Sequence, residues 1–224
     1  MLDEWLENAS TPGDGPLKSG EWRLNSLRWT VLRTVLAAEI VSPFLAETLC
    51  GAQERIAALG LTGPEPLGPG HEVDDFDCGV PKLDHRLREG AGASADGSSG
   101  TFAVRTFVVA SGGRVAGYYA TRLILAMRDG DAAEAPVKLV LVPALAVDKS
   151  WRGPHLAQAL VGHLMRDALG SVAADAPAAV ITSAISPRVV RLFRRCGGRA
   201  LGNVLHPTGM LVTRAEAAAA LKTC

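Results

Sequence analysis

The sequence predicts an α/β (α+β) domain on a mixed sheet, preceded by a helical extension. Three observations point there. Two apolar runs, residues 137–147 and 178–184, suit strands buried on both faces, and each is followed by a stretch of helical periodicity. Ser111-Gly112-Gly113-Arg114 separates two β-branched and aromatic runs, as a hairpin turn does. The composition also shifts near residue 65: residues 1–65 carry five basic against nine acidic side chains, and the remainder carries 18 against 14.

The whole chain of 224 residues is electrically balanced, with 23 basic and 23 acidic side chains, and is 48% hydrophobic. That combination excludes a disordered chain and a binding mode driven by bulk charge, and leaves room for a local basic face. The length suits one domain with an extension or two small domains. The reading divides the chain at residue 65 into a helical extension, 1–65, and an α/β domain, 66–224.

In the extension, Leu24, Leu27, Val31, Val35 and Ala38 recur at helical steps. Pro43 should end or kink that helix, and residues 44–59 form a second. Trp5, Trp22 and Trp29 indicate an extension that docks rather than hangs free. Two readings stay open for it: a packing or dimerisation appendage, or a small partner-binding module. The Gly/Pro-rich residues 63–70 read as a linker or sharp entry turn. A short polar helix follows over residues 80–89, then a Gly/Ser/Ala loop over 91–100 and two hairpin strands over 101–110 and 115–125. After the buried run 137–147 comes an amphipathic helix over 156–169, with Leu156, Leu160 and Leu164 on one side. A second buried strand leads into a helix over 188–196, and residues 203–205 and 210–213 suggest a closing hairpin.

The N-terminus, with Asp3, Glu4 and Glu7, is not read as a signal peptide, and the apolar stretch 29–44 is broken by Arg33, Glu39 and Pro43. Cys50, Cys78, Cys196 and Cys224 form no C-x-x-C pair and read as lone thiols in a reducing compartment. A soluble cytoplasmic protein is expected. His163 and His155 lack a third metal ligand, and Asp74, Asp75 and Asp77 lack the oxygen spacing of a Ca²⁺ loop, so no metal is expected.

The most informative segment is Leu145-Ala146-Val147-Asp148-Lys149-Ser150-Trp151-Arg152-Gly153-Pro154-His155-Leu156-Ala157. A buried strand ends, a short loop follows and a helix begins. Helix N-termini expose unpaired amides and the positive end of the macrodipole, so they bind phosphate. Gly153 permits close backbone approach, Ala157 keeps the first turn free of bulk, and Arg152 adds positive charge. An ordinary connector is the bland alternative.

Residues 152–157 resemble the acetyl-CoA motif Q/R-x-x-G-x-G/A of the GNAT acetyltransferase superfamily, with His155 where a glycine is usual. Phe76-Asp77-Cys78-Gly79 with Leu83-Asp84, Gly117-Tyr118-Tyr119, Leu145 to Ser150 and the helix end Arg191 to Gly197 extend the likeness over about residues 72–213. They resemble the branch of GNAT toxins that acetylate the amino group of aminoacyl-tRNA. The resemblance implies the GNAT fold: a mixed central sheet with splayed strands and flanking helices. It implies that Leu145, Ala146 and Val147 pair with the pantetheine arm of acetyl-CoA, and that Arg152, Gly153, Pro154, His155, Leu156 and Ala157 hold its pyrophosphate. Acetyl-CoA, tRNA, an antitoxin-like protein and a second copy in a homodimer are the implied partners, with no membrane.

Phe193 stands where many relatives place a Tyr that protonates the leaving thiolate. Tyr118, Tyr119 and Cys196 are the substitute candidates; an enzyme with no general acid and a silent binding module are the alternatives. Arg188, Arg191 and Arg195 share a helical face by their spacing, either as a solvated face or as a site for RNA or the 3′-phosphate of CoA. The acceptor read from this is a primary amine, on aminoacyl-tRNA, on a small amine or on a protein.

Overall fold

The computed structural model describes residues 21–24, 26–37, 42–95, 104–128, 130, 135–153, 155–170, 178–183, 187–200 and 209–222. Among them, β1 (Glu21–Leu24) and α1 (Ser26–Ala37) lead into α2 (Pro43–Cys50), α3 (Ala52–Ala58) and β2 (Thr62–Pro66). Helix α4 (Pro81–Ala95) precedes the hairpin of β3 (Arg105–Ser111) and β4 (Arg114–Arg128). Strand β5 (Val137–Val147), a 3₁₀ turn (Lys149–Trp151) and α5 (Leu156–Gly170) follow. The chain closes with β6 (Ala178–Ser183), α6 (Pro187–Arg195), β7 (Arg199–Ala200), β8 (Gly209–Thr213) and α7 (Arg214–Leu221).

The strands form one mixed sheet in the order β2-β3-β4-β5-β6-β8-β7, with β1 added alongside β4. β5 and β6 run parallel, as do β1 and β4, and the other pairs are antiparallel. This is the expected α/β class. The β3–β4 turn is as expected too: Ser111 pairs Arg114, and Gly112 and Gly113 take φ of +57° and +93°, a conformation that costs any other residue.

Two apolar layers flank the sheet. One holds Leu45, Leu49, Ile56, Leu156, Leu160, Leu164 and Phe193, so α2, α3, α5 and α6 share it. The other holds Leu67, Phe76, Leu87 and Val108 beneath α4. Successive strand residues point to opposite faces, so Tyr118 enters the second layer and Tyr119 the first. Both are fully buried.

Pro43 opens α2 rather than closing its predecessor, which suits a residue without an N–H in the first turn. The expected second helix is divided at Gly51, which closes α2 and opens α3. The boundary near residue 65 falls inside β2, where Thr62, Glu65 and Pro66 pair with Ala110, Val108 and Phe107. Part of the Gly/Pro stretch is therefore strand, because proline is tolerated on an edge strand. Residues 91–95 of the expected loop complete α4. The expected strand at 203–205 lies outside the described residues. Cys78 and Cys196 are free and buried, but Cys50 is disulfide-bonded. Cys50 thereby corrects the reading of four lone thiols.

Helices α2 and α5 touch backbone to side at Gly162. A Cβ there would overlap the Thr48 carbonyl oxygen and sit 2.9 Å from the Ala52 methyl. Gly162→Ala is expected to destabilise the protein by about 1–3 kcal/mol through overpacking. Urea unfolding of the two proteins, with an unchanged slope and a lower midpoint for the variant, checks this.

Candidate functional site

The geometry of the site begins where β5 leaves β6. Their parallel pairing runs from Lys138 with Ala178 to Val142 with Thr182 and goes no further among the described residues. β5 itself continues to Val147, still paired on its other side: Ala144 with Ala120, Leu145 with Tyr119, Ala146 with Tyr118, Val147 with Gly117. The register with β4 breaks between these pairs and the Leu141–Arg122 pair. Two residues of β5, Val142 and Pro143, thus oppose the single Thr121, which is a β-bulge. A bulge bends its strand and increases the local twist, and proline brings no N–H to the ladder. Arg86 on α4 reaches this point, donating from Nη1 to the Pro143 carbonyl at 3.2 Å.

The segment after Val147 is fixed by one buried carboxylate. Asp148 accepts from the Asp77 amide at 2.9 Å, the Ser150 amide at 2.8 Å and the Ser150 hydroxyl. The Asp148 amide in turn donates to the Ala116 carbonyl at 2.9 Å. Burial pushes the Asp148 carboxyl up, but the amide of Asp77 and the hydroxyl and amide of Ser150, with the charge of Arg114, outweigh it and hold the group below the ordinary value of 3.8. Lys149 and Arg152 complete the tie between the loop and residues 76–79. Lys149 donates through its amide to the Asp77 carbonyl at 2.9 Å and through Nζ to Asp77 Oδ2 at 2.8 Å. Arg152 Nη2 donates to the Cys78 carbonyl at 2.7 Å. Gly79 sits beneath both cations at φ +75°, its amide bonded to Asp77 Oδ1 at 2.7 Å.

Gly153 and His155 follow, both exposed. A Cβ on Gly153 would meet nothing within 4 Å, so the loop borders open space. Pro154 lies outside the described residues. The Ala159 amide bonds the His155 carbonyl at 2.9 Å, and the amides ahead of it belong to the turn that an α-helix leaves without partners. Leu156 is buried under α5, and Ala157 is half-buried. Leu145 and Val147 lean against the layer shared with α5 and α6, whereas Ala146 faces the layer under α4. Leu145, Ala146 and Val147 thus lie on a strand end with no partner on the β6 side among the described residues, and Arg152, Gly153, His155, Leu156 and Ala157 follow in the turn into α5 and its start.

Phe193 is fully buried on α6. Tyr118 donates from its hydroxyl to the Leu83 carbonyl at 2.6 Å, and its ring meets Phe76 edge-on at 5.5 Å. Tyr119 Oη lies 2.7 Å from His163 Nδ1, and its ring stacks on Phe107 at 5.1 Å. Burial raises both phenols far above their ordinary value and lowers His163. Burial also pushes the Cys196 thiol up to about 12. All of these hydroxyls and thiols are held as neutral groups.

The arginines on and after α6 divide. Arg188, Arg191 and Arg194 are exposed. Arg195 is exposed but lies over the Phe44 ring at 3.8 Å. Arg199 Nη2 bonds the buried Glu216 at 2.9 Å, so it belongs to the fold. Sequence spacing missed Asp148 and Gly79: Asp148 stood inside the quoted motif, but one of its three donors, the Asp77 amide, lies 71 residues away.

No group of three or more His, Cys, Asp or Glu able to hold a metal occurs among the described residues, and no helix there is long and apolar enough to cross a membrane.

No protein-family model matches the chain. A tRNA-acetylating toxin of Mycobacterium tuberculosis is 33% identical over 124 residues, which span 50% of this chain and 66%, just under two thirds, of that protein. Among solved structures, a tyrosine-to-phenylalanine mutant of KacT superposes with a TM-score of 0.58 at 23% identity, covering 71% of this chain and 98% of that one. AtaT complexed with acetyl-methionyl-tRNAfMet superposes with a TM-score of 0.56 at 18% identity, covering 68% and 94%. An AtaT mutant bound to the C-terminus of the antitoxin AtaR and acetyl-CoA gives 0.56 at 20% identity, covering 70% and 96%. These structures show the fold, and the resemblance to GNAT toxins read in the sequence is borne out.

The Asp148 network makes a pH-dependent prediction. A carboxyl with a lowered folded-state pKa stabilises the protein above its ordinary value of 3.8, and that stability is lost as pH falls through the depressed value. Asp148→Asn should cost about 1–3 kcal/mol at pH 7. The gap between variant and wild type should narrow in unfolding curves recorded near pH 3.

Proposed function

We propose that this protein is an acetyl-CoA-dependent N-acetyltransferase that modifies a primary amine, the amino group of aminoacyl-tRNA. The observation that carries the reading is the five-residue run of β5, Pro143 to Val147, that continues beyond its last described pairing with β6 and leads through the loop 148–155 to the start of α5. An unshared strand edge offers backbone groups to an amide-containing chain such as pantetheine. The helix start offers amides and positive dipole to a diphosphate, with the space around Gly153 as its cradle.

In this reading Leu145, Ala146 and Val147 align the pantetheine arm, and Gly153, Pro154, His155, Leu156 and Ala157 grip the pyrophosphate. Arg152 acts from its anchored position on Cys78. Bound acetyl-CoA supplies a thioester. The chain contributes positioning and an amide near Val147 aimed at the thioester carbonyl, an oxyanion-type role. No side-chain acid is assigned to the leaving thiolate. Phe193 has no proton to give, Tyr118 and Tyr119 are occupied in the core, and the Cys196 thiol is too weak an acid at about 12. The thiolate of coenzyme A then departs unaided, at a rate cost of about 10²–10⁴-fold relative to an enzyme with a tuned acid.

The tRNA acceptor rests on the activity named for the Mycobacterium tuberculosis relative and on the exposed Arg188, Arg191 and Arg194. A cytoplasmic location, a homodimer and an antitoxin-like partner belong to the same reading. One residue favours a second reading, a silent module that binds CoA without turnover: Phe193. Incubation with radiolabelled acetyl-CoA and, separately, charged tRNA, polyamines or the protein alone distinguishes them. Label in charged tRNA supports the proposal; label in a polyamine moves the acceptor; binding with no transfer supports the silent module.

Gly153→Asp should abolish acetyl-CoA binding in isothermal titration, since a carboxylate there repels the diphosphate, while the open surroundings leave folding intact. Unchanged affinity would refute the cradle. Arg191→Glu with Arg194→Glu, chosen to spare the Arg195 stack, should weaken tRNA binding at least about tenfold at low salt and flatten its salt dependence by about two phosphate contacts.

A further inference from the structure

Strands β5 and β6, whose pairing ends at Val142 among the described residues, each lead to a helix, α5 and α6, and both helices are held by one element from outside the 66–224 segment. Helix α2 touches the first turn of α5 through Gln158, which is 7% exposed. Gln158 Nε2 donates to Thr48 Oγ1 at 3.0 Å and to Glu47 Oε1 at 3.4 Å. Glu47 is itself held by Arg55, whose Nη2 lies 2.9 Å from Oε1 and whose Nη1 donates to the Glu47 carbonyl at 3.0 Å. One turn further along α5, Gly162 admits the Thr48 backbone. Toward α6, the Ser42 hydroxyl donates to the Arg195 carbonyl at 2.6 Å, and the Arg195 guanidinium covers Phe44. Cys196 Sγ, just past α6, lies 4.0 Å from the same Thr48 Oγ1.

Thr48 is fully buried, and polar groups in that position cost stability unless their partners are in place. Apolar side chains would pack two helices equally well. A buried hydroxyl shared between Gln158 and Cys196 adds direction: it is satisfied at one relative placement of α5, α2 and the end of α6. We propose that α2 is a brace between α5 and α6, the helices that follow β5 and β6, and that Thr48 is a positioning residue for the α5 turn that grips the diphosphate. The inference rests on the acetyl-CoA reading for its ligand, and on contacts independent of that reading for its mechanics.

The test compares Thr48→Val and Thr48→Ser in the full chain. Acetyl-CoA affinity is measured by isothermal titration, and amide hydrogen exchange at residues 156–159 is measured without ligand. Thr48→Val is expected to weaken acetyl-CoA binding about three- to tenfold, the effect of one hydrogen bond, and to speed exchange in that turn. Thr48→Ser, which keeps the hydroxyl, restores both. If Thr48→Val fails to fold, Gln158→Met, which keeps bulk and loses the amide, carries the same expectations. Wild-type affinity and exchange in Thr48→Val, with binding still lost in Gly153→Asp, overturns the brace and leaves the acetyl-CoA reading standing. Absence of acetyl-CoA binding by the wild type defeats that reading instead, and the exchange comparison alone then decides the brace.

Discussion

Among the described residues strand β5 pairs with β6 no further than Val142, and the candidate site follows from that. The bulge of Val142 and Pro143 against Thr121 spends one residue of β5 without advancing the ladder, and proline brings no donor to it. The result is a strand with two different edges. Toward β4 it is paired to its end; toward β6 it offers five residues of backbone that the described sheet does not use. An apolar core lies on both faces of this segment, so the edge is held stiffly where a flexible loop would otherwise be needed.

The loop that follows is rigid for a different reason. Asp148 gathers donors from its own turn and from Asp77, and the Lys149 and Arg152 side chains return to the same neighbouring turn. The segment 76–79 and the loop 148–152 therefore behave as one folded unit built from two pieces of chain about seventy residues apart. A charge in such a place is tolerated because every oxygen contact is a donor, and the cost of burial is outweighed by the bonds.

Much of this was legible in the sequence. The apolar runs at 137–147 and 178–184, the Gly112-Gly113 turn and the stripe of Leu156, Leu160 and Leu164 are local signals, because period and turn chemistry act over a few residues. The loop motif pointed to the candidate site for the same reason. What stayed hidden depends on distant partners. Pro64 and Pro66 read as punctuation, yet β3 recruits them as an edge strand. Arg188, Arg191 and Arg195 read alike by spacing, yet Phe44 claims Arg195, and nearby Arg199 is claimed by Glu216. The partner that holds the Tyr119 hydroxyl, His163, lies 44 residues further on.

The two adjacent tyrosines of β4 carry a last consequence. Each phenol has a partner on its own side of the sheet: a carbonyl for Tyr118 and an imidazole for Tyr119. Sliding β4 by one position would turn every side chain over, trading the two rings and stranding both hydroxyls in oil. The Tyr118-Tyr119 pair therefore works as a key that admits a single alignment of the central strand, and with it a single phase for the neighbouring β5 edge.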